Sequence, residues 1–186
     1  MHGSRVYTAE GIVIKRKNVG EADRILTLFT KKYGKIRVLA RGVRKISSRR
    51  GPHIEVFNRI IASIHKSASI DTLTEVSPIA GFENVRSDLK RIGAAYYLCE
   101  LIDGLLPLEQ THENVFDLLV EALRTLGAVK RDRTNVLRAR FAAALLRMLG
   151  FLNAEKKFEE NEIDTYVEQL LERRLKTVRM ASQMNI

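Results

Sequence analysis

The hydrophobic pattern of this chain changes its period once, after Ser77-Pro78, and this change limits the fold more than any other feature of the sequence. Up to that point, apolar and polar residues alternate in short runs, which is the pattern of β-strands. Beyond it, apolar residues recur every three or four positions, as on helices that pack through one face. The sequence therefore predicts an α+β protein with two domains, residues 1–79 and residues 80–186.

The first region contains five segments with strand character. Residues 6–17 are rich in β-branched side chains and are expected to bend at Gly11. Residues 23–41 form a predicted hairpin that turns at Gly34, where glycine permits a positive φ. Residues 53–67 and 69–79 are the predicted fourth and fifth strands. Five strands of this length, the first of them bent, fit a small closed barrel of the OB type.

The second region contains four apolar stripes with helical spacing, and they predict a helical bundle. The stripes cover residues 85–106, 116–126, 137–152 and 163–178. Cys99 lies on the first stripe and is therefore expected to be a core thiol. As the single cysteine of the chain it cannot form an internal disulfide.

The net charge of the chain, +10, lies entirely in the first region. Residues 1–79 hold 16 Lys or Arg against 6 Asp or Glu, whereas residues 80–186 hold 16 of each kind. A basic half beside a neutral half indicates that the first domain faces a polyanion. Nucleic acid is favoured over a membrane, because no apolar run could span a bilayer and the cations do not fall on an amphipathic helix.

The charge is densest in residues 31–50, where nine Lys or Arg occur without an acid. Alternation predicts a strand at residues 35–41 with one apolar face and one face that carries three cations, followed by a basic loop. The residues predicted to bind phosphates are Lys31, Lys32, Lys35, Arg37, Arg41, Arg44, Lys45, Arg49 and Arg50. The alternative is an ordinary solvated strand and loop. Tyr33 and Phe57 are expected to be buried in the barrel, with base stacking as their alternative role.

Several motifs resemble the bacterial recombination mediator family RecO. The N-terminal signature of that family is matched, in order and spacing, by GIVIKR at residues 11–16, GEADRILTLFT at 20–30, GKI at 34–36 and ARGVRK at 40–45. The likeness continues at residues 73–75, 94–101, 116–119 and 145–150. It therefore covers nearly the whole chain.

The resemblance implies an OB barrel followed by a helical domain, and a non-enzymatic role in DNA repair. Members of the family bind single- and double-stranded DNA, anneal complementary strands, contact the single-strand-binding protein SSB, and help to load the recombinase RecA together with RecR. DNA, the C-terminal tail of SSB and RecR are thus the implied partners, with RecA engaged indirectly. The expected location is the cytoplasm, at the nucleoid during repair, and no signal-peptide pattern is seen.

Two other functions remain open on the residues alone. A general RNA-binding or ribosome-associated OB protein would show the same basic charge, because phosphates are alike in RNA and DNA. A nuclease is the weaker alternative, since the basic region has no cluster of carboxylates. The family resemblance is what favours DNA.

The chain departs from the family in one place. Many RecO proteins carry a four-cysteine zinc element after the helix that matches residues 145–150, whereas residues 153–161 hold no cysteine. A zinc site needs about four thiolate or imidazole ligands, and phosphate-binding glycine motifs are also missing. We therefore predict no metal, cofactor or catalytic site. Among the acids Glu159, Glu160, Glu162 and Asp164, capping of the following helix is expected, with binding of a divalent ion as the alternative.

A protein-binding surface is predicted on the third helix, from the family's contact with the acidic, phenylalanine-ending tail of SSB. Such a peptide requires cations for its carboxylates and an apolar slot for its aromatic end. Three arginines spaced seven apart would share one helix face beside apolar neighbours. The residues of this predicted surface are Arg133, Arg140, Phe141 and Arg147. The alternative is a solvated helix face over core residues.

Overall fold

The computed structural model describes residues 5–153, 158 and 160–184, and the chain divides into two compact units. The first unit contains the chain up to Gly81 together with Leu106–Glu113. The second contains Phe82–Leu105 and the chain from Asn114 onward. Periodicity did not indicate that Leu106–Glu113 groups with the barrel, because that segment reaches the barrel through backbone contacts that leave no mark on the sequence.

The first unit is a closed five-stranded barrel, as predicted. Its strands follow the spatial order β1-β2-β3-β5-β4, in which β3 and β5 are parallel and the other neighbours are antiparallel. This order and the helices that follow confirm the predicted fold class. The strands are β1 (Val6–Val19), β2 (Asp23–Thr30), β3 (Gly34–Ala40), β4 (Arg59–His65) and β5 (Asp71–Ala80).

Alternating apolar residues fill the barrel interior. Leu26 and Leu28 of β2 and Val38 of β3 are fully buried in the core cluster, which also receives side chains from β4 and β5. Each fully buried aliphatic side chain of this kind stabilises the fold by about 1.5–3 kcal/mol. The apolar residues whose alternation predicted these strands are therefore the residues that fill the barrel core.

The irregularity in the pairing of β1 lies at Ile14, three residues beyond Gly11, where the sequence predicts a bend. The pairing with β2 shifts register between Val13 and Lys15. Gly11 instead allows the two strands to approach closely, because a Cβ on it would lie 3.2 Å from the Phe29 carbonyl oxygen. An extra residue in one strand turns the following side chains to new positions.

The fourth strand begins at Arg59, later than the sequence indicated. Residues Gly51–Ile54 form a 3₁₀ turn, and Phe57 has a positive φ of 79°. The backbone there pairs with β1, since the Phe57 N–H donates to the Val13 carbonyl at 2.8 Å. Apolar residues in this stretch resembled a strand because they are buried, although the backbone is not extended throughout.

The second unit is a helical bundle, as predicted, and α2 lies at its centre. In the described part of the chain its helices are α1 (Glu83–Arg86), α2 (Leu89–Leu105), α3 (Glu113–Ala128), α4 (Thr134–Met148), α5 (Glu160–Leu171) and α6 (Lys176–Met184). The central helix contacts α1, α4 and α6. Tyr96, predicted to be on its buried stripe, is 44% exposed, whereas Tyr97 beside it is fully buried.

Two of the predicted helices are each divided into two. The first breaks before Asp88, whose carboxylate accepts the N–H groups of Lys90 and Arg91 and so caps α2. The last breaks at Glu172, which has a positive φ of 52°. Apolar spacing continues across both breaks, so the periodicity alone could not locate them.

A part-buried cluster of three polar side chains links α2, α4 and α5. The Tyr97 hydroxyl donates to Asp164 at 2.5 Å, and the Arg138 guanidinium donates to the other Asp164 oxygen at 3.2 Å while lying over the Tyr97 ring. Burial, followed by the charge of Asp164, raises the pKa of Tyr97, so the hydroxyl stays a donor. Asp164 therefore bonds inside the bundle and does not cap a helix, while Glu159 lies outside the described residues.

Candidate nucleic-acid interface

The outer face of β3 is open only toward its C-terminal end. Arg37 is exposed and Leu39 is half-buried, but Lys35 is 6% exposed, so the prediction that it shares an open cationic face was wrong. The segment Leu106–Glu113 runs alongside Lys35, whose carbonyl accepts the Glu109 N–H at 2.9 Å. A segment distant in sequence thus covers this part of the strand.

Strand register adds two cations that the sequence prediction did not include. Lys15 of β1 pairs with Thr27, which in turn pairs with Arg37. Directly paired residues point to the same side of a sheet, so Lys15 and Arg37 share one face. Lys17, two residues further along, lies on that face as well and is exposed.

The signal for these lysines was present but depended on register. A run of Lys-Arg-Lys at residues 15–17 ends the first predicted strand. The irregularity at Ile14 decides which of the three point outward with Arg37, and irregularities of this kind are set by pairing with the neighbouring strand. The sequence alone therefore could not show which of these cations share a face with Arg37.

The loop that follows β3 carries four exposed cations, Arg41, Arg44, Lys45 and Arg49. Backbone hydrogen bonds hold the loop against the turn between β1 and β2. The Gly42 N–H donates to the Asp23 carboxylate at 2.7 Å, and the Arg44 N–H donates to the Ala22 carbonyl at 2.9 Å. We call Lys15, Lys17, Arg37 and these four loop residues the basic surface.

Arg50 is held by more backbone carbonyls than Arg44, whose guanidinium donates to the Gly20 carbonyl at 3.1 Å. The Arg50 guanidinium donates to the carbonyls of Leu73 at 2.7 Å, Thr74 at 3.2 Å and Arg41 at 2.8 Å. It is half-buried and links the basic loop to β5. Three backbone carbonyls thus hold Arg50 as a clamp between the loop and β5, and its role in phosphate binding stays a prediction.

Lys31 and Lys32 are separated from the loop by the length of β3. They occupy the turn before Gly34, whereas the loop begins after Ala40, about 20 Å away at the usual strand rise. Lys32 is exposed, and Lys31 is half-buried. The structure does not bring these two residues together with the loop cations.

Other arginines of the barrel are engaged with acids. Glu55 forms ion pairs with Arg16 and with Arg24, the latter at 3.1 Å. Arg59 donates to the Glu10 carboxylate at 2.7 Å. Two carboxylates thus offset part of the charge of these three arginines, which lie apart from the basic surface.

The two aromatic residues considered for base stacking lie in different environments. Phe57 is 1% exposed, in agreement with the prediction of burial. Tyr33 is 41% exposed, against that prediction, and its ring packs at 4.9 Å on Tyr7. The Tyr7 hydroxyl donates to Asp71 at 2.7 Å, which orients the pair of rings at the end of the barrel near Lys32.

The predicted protein-binding residues are only partly brought together. Arg140 and Arg147 are exposed on α4, whereas Arg133 lies in the 3₁₀ turn before the helix. Phe141 is 3% exposed and belongs to the core, so it cannot line an open slot. Met148 and Phe151 are exposed apolar residues next to Arg147, at 44% and 43%.

Over residues 5–153, 158 and 160–184, no group of three or more His, Cys, Asp or Glu is placed to hold a metal ion. In the same ranges no helix is long and apolar enough to cross a membrane. Cys99 is buried as predicted, and burial raises the pKa of its thiol.

Comparison with known proteins supports the fold and indicates the family to which the chain is similar. The family model described as "Recombination protein O N terminal" matches residues 1–82, and "Recombination protein O C terminal" matches residues 86–153. Three relatives carry the name DNA repair protein RecO. They come from Roseiflexus sp. (44% identity over 124 residues), Symbiobacterium thermophilum (39% over 146) and Pelotomaculum thermopropionicum (33% over 147).

These matches cover a larger share of this chain than of the relatives. They include 67%, 78% and 79% of this chain but 44%, 57% and 56% of the respective relatives. The chain therefore spans about half the length of the curated relatives it matches. Since the two family models together match most of its residues in the expected order, the chain belongs to the RecO family.

Proposed function

We propose that this chain is a DNA-binding recombination mediator that holds phosphate backbones on its N-terminal barrel. The observation that carries the proposal is the basic surface, where β1, β3 and one anchored loop present seven exposed cations. Phosphate contacts of this kind supply most of the affinity of a non-specific complex and release counterions. Both single- and double-stranded DNA can provide them.

Strand annealing follows from the same electrostatics. Two complementary strands repel each other through their phosphates, and a cationic surface that screens both backbones lowers this repulsion. No chemical step is needed. We therefore propose that the chain acts without catalysis, and that incubating labelled DNA with the protein and a divalent cation leaves the DNA intact.

DNA is proposed over RNA because the relatives are named as DNA repair proteins. The basic surface alone fits either nucleic acid, as phosphates do not distinguish them. A general RNA-binding role remains the second candidate. Titration with DNA and RNA oligonucleotides of the same sequence separates the two, since a repair mediator should anneal and bind DNA at least as well as RNA.

The binding test uses the salt dependence of affinity. For single-stranded DNA, log affinity should fall against log salt concentration by about 0.7 for each phosphate contact. Substituting Arg37, Arg41 and Arg44 together by alanine should flatten the slope by about 2 if each holds a phosphate. Fluorescence anisotropy with a labelled oligonucleotide at several salt concentrations measures this slope for both proteins.

A matched control is Arg124→Ala on α3. Arg124 is exposed and paired with Glu121, so its loss changes the net charge by the same amount per residue but lies outside the basic surface. It should leave the slope unaltered. A folded triple variant that keeps the wild-type slope would show that DNA is bound elsewhere.

The helical unit is proposed to bind protein partners, as the family resemblance implies for SSB, for RecR and indirectly for RecA. For the acidic tail of SSB, the residues best placed are Arg140 and Arg147 beside the exposed Met148 and Phe151. Cations there would meet the carboxylates of the tail, and the apolar side chains would meet its aromatic end. This set replaces Phe141, which is buried.

A further inference from the structure

Ile46 is the most exposed large hydrophobic residue in the part of the chain that the structure describes. Its relative exposure is 107%, and the next value in the described ranges is 55%, for Met180. Isoleucine is among the residues most often fully buried in proteins. A completely exposed one at the tip of a loop therefore requires a reason.

The side chains around Ile46 are cationic and polar. Lys45 precedes it, Ser47 and Ser48 follow it, and Arg44 and Arg49 flank this group. The loop thus presents one apolar side chain in the middle of the basic surface. Any polyanion drawn to these cations would come into contact with Ile46.

Hydrogen bonds fix the tip of the loop in shape. The Ser48 N–H donates to the Lys45 carbonyl at 2.9 Å, which closes a turn with Ile46 and Ser47 at its two central positions. The loop is anchored on one side to Asp23 and Ala22 and on the other side through Arg50. Ile46 is therefore held outward by a built turn.

We propose that Ile46 is an apolar wedge that inserts against the bases of nucleic acid held by the basic surface. This inference rests on the proposed function and adds a contact to bases at the same site. Proteins that kink or unstack nucleic acid commonly place Ile, Leu, Phe or Met between base steps while cations hold the phosphates on either side. The arrangement of Ile46 between Arg44, Lys45 and Arg49 matches that chemistry.

The size of the apolar tip favours bases over a membrane. Attachment to a membrane surface scales with buried apolar area, and the loop offers one isoleucine. Separation of one base step requires one apolar side chain. By unstacking bases, the wedge would also expose their pairing edges, which would help a complementary strand to pair.

The experiment compares Ile46→Ser with Ile46→Leu in the full chain. Ile46→Ser should bind single-stranded DNA about tenfold more weakly, because burial of this side chain is lost. Its salt slope should stay that of the wild type, because an apolar contact releases no counterions. Ile46→Leu should keep the affinity, since an apolar side chain of the same volume remains.

A second readout reports base stacking directly. The fluorescence of 2-aminopurine in the oligonucleotide rises when the base is unstacked, so wild type and Ile46→Leu should raise it on binding and Ile46→Ser should not. The matched control is Ile79→Ser on β5, where the isoleucine is 44% exposed outside the loop. It should behave as the wild type in both measurements.

The outcomes separate this inference from the proposed function. If the wild type binds DNA with a clear salt slope and Ile46→Ser equals it in affinity and fluorescence, the wedge is wrong and the proposed function stands. Absence of DNA binding by the folded wild type would overturn both. Loss of binding to phosphatidylserine vesicles by Ile46→Ser, with DNA binding unchanged, would overturn the wedge in favour of a membrane contact.

Discussion

At the scale of single residues, the role of each cation depends on where its donors point. Arg49 and Arg50 are adjacent in sequence, yet Arg49 is exposed and Arg50 donates to three backbone carbonyls. Lys35 is closed off by a backbone segment more than seventy positions away. The density of charge along the sequence therefore locates the proposed phosphate-binding region, but it does not show which of its cations are exposed.

The adjacent arginines allow a paired prediction. Arg50→Ala should lower the free energy of unfolding by about 1 kcal/mol, because the part-buried Leu73 carbonyl and two exposed carbonyls lose their donor. Arg49→Ala should change it by about 0.5 kcal/mol or less while flattening the salt slope of DNA binding. Urea unfolding and anisotropy measure the two effects. Equal destabilisation by both variants would contradict the clamp.

At the scale of elements, the β2–β3 turn is held against the segment Leu106–Glu113. The Thr111 hydroxyl donates to the Lys32 carbonyl at 2.9 Å, and the Gln110 backbone passes so close to Gly34 that a Cβ there would collide with it. Gly34 also has a positive φ of 64°. This one position thus needs glycine for two separate reasons.

A comparison of two glycines separates these reasons. Gly20→Ala should lower the free energy of unfolding by about 1–2 kcal/mol, since Gly20 has a positive φ of 55° but open space around it. Gly34→Ala should cost about 1–3 kcal/mol more, from the collision with Gln110. Urea unfolding of both variants gives the difference. If the two variants were equally stable, the close approach of Gln110 would be of no energetic consequence.

A second link between elements is made by Glu100 of α2, which caps α6. Its carboxylate accepts the N–H groups of Lys176 and Thr177 and the Thr177 hydroxyl, and it pairs with Arg173 at 3.0 Å. Burial acts to raise its pKa, but the hydrogen bonds from Thr177, Lys176 and Arg173 outweigh burial and lower the pKa below the usual value. The ionised form is therefore the one that stabilises the fold.

This cap predicts a dependence of stability on pH. Because the folded-state pKa of Glu100 is lowered, its contribution is fully present above the usual glutamate pKa of about 4.3 and is lost as pH falls through the folded value. Glu100→Gln should lower stability at neutral pH and weaken the loss on acidification. Urea midpoints across this pH window test it, with Glu121→Gln on the exposed face of α3 as control. An unchanged acid dependence in Glu100→Gln would contradict the cap.

At the scale of the whole molecule, the net charge differs between the two units. The first unit holds 16 Lys or Arg against 8 Asp or Glu, and the second holds 16 against 14. A basic unit suits a polyanion, whose attraction reaches about 10 Å at moderate salt. A nearly neutral unit can instead present local cations and apolar side chains to a peptide.

The division predicts that the two proposed surfaces act independently. Arg140→Ala with Arg147→Ala should weaken binding of a fluorescent peptide that copies the SSB tail and leave the DNA salt slope unchanged. Arg41→Ala with Arg44→Ala should do the reverse. Effects of substitutions that share no partner residues usually add within about 0.5 kcal/mol, so the quadruple variant should show both losses. Loss of peptide affinity in the Arg41 and Arg44 variant would contradict two separate surfaces.

Much of the fold could be read from hydrophobic period alone. The hairpin predicted at residues 23–41 corresponds to β2 and β3, because a short apolar run, a turn glycine at Gly34 and an alternating run follow one another along the chain. Residues 53–58 were assigned to a strand wrongly, since a buried irregular segment has the same composition as a strand. The breaks at Asp88 and Glu172 were missed because apolar spacing continues through them.

The fold class, the basic character of the first unit and the family were predictable without the structure, since they follow from hydrophobic period, charge and ordered motifs along the chain. The tertiary structure decided which cations form one surface. Strand register brought Lys15 and Lys17 to Arg37, the segment Leu106–Glu113 covered Lys35, and three carbonyls engaged Arg50. Each of these depends on contacts between residues far apart in sequence, which no local pattern records.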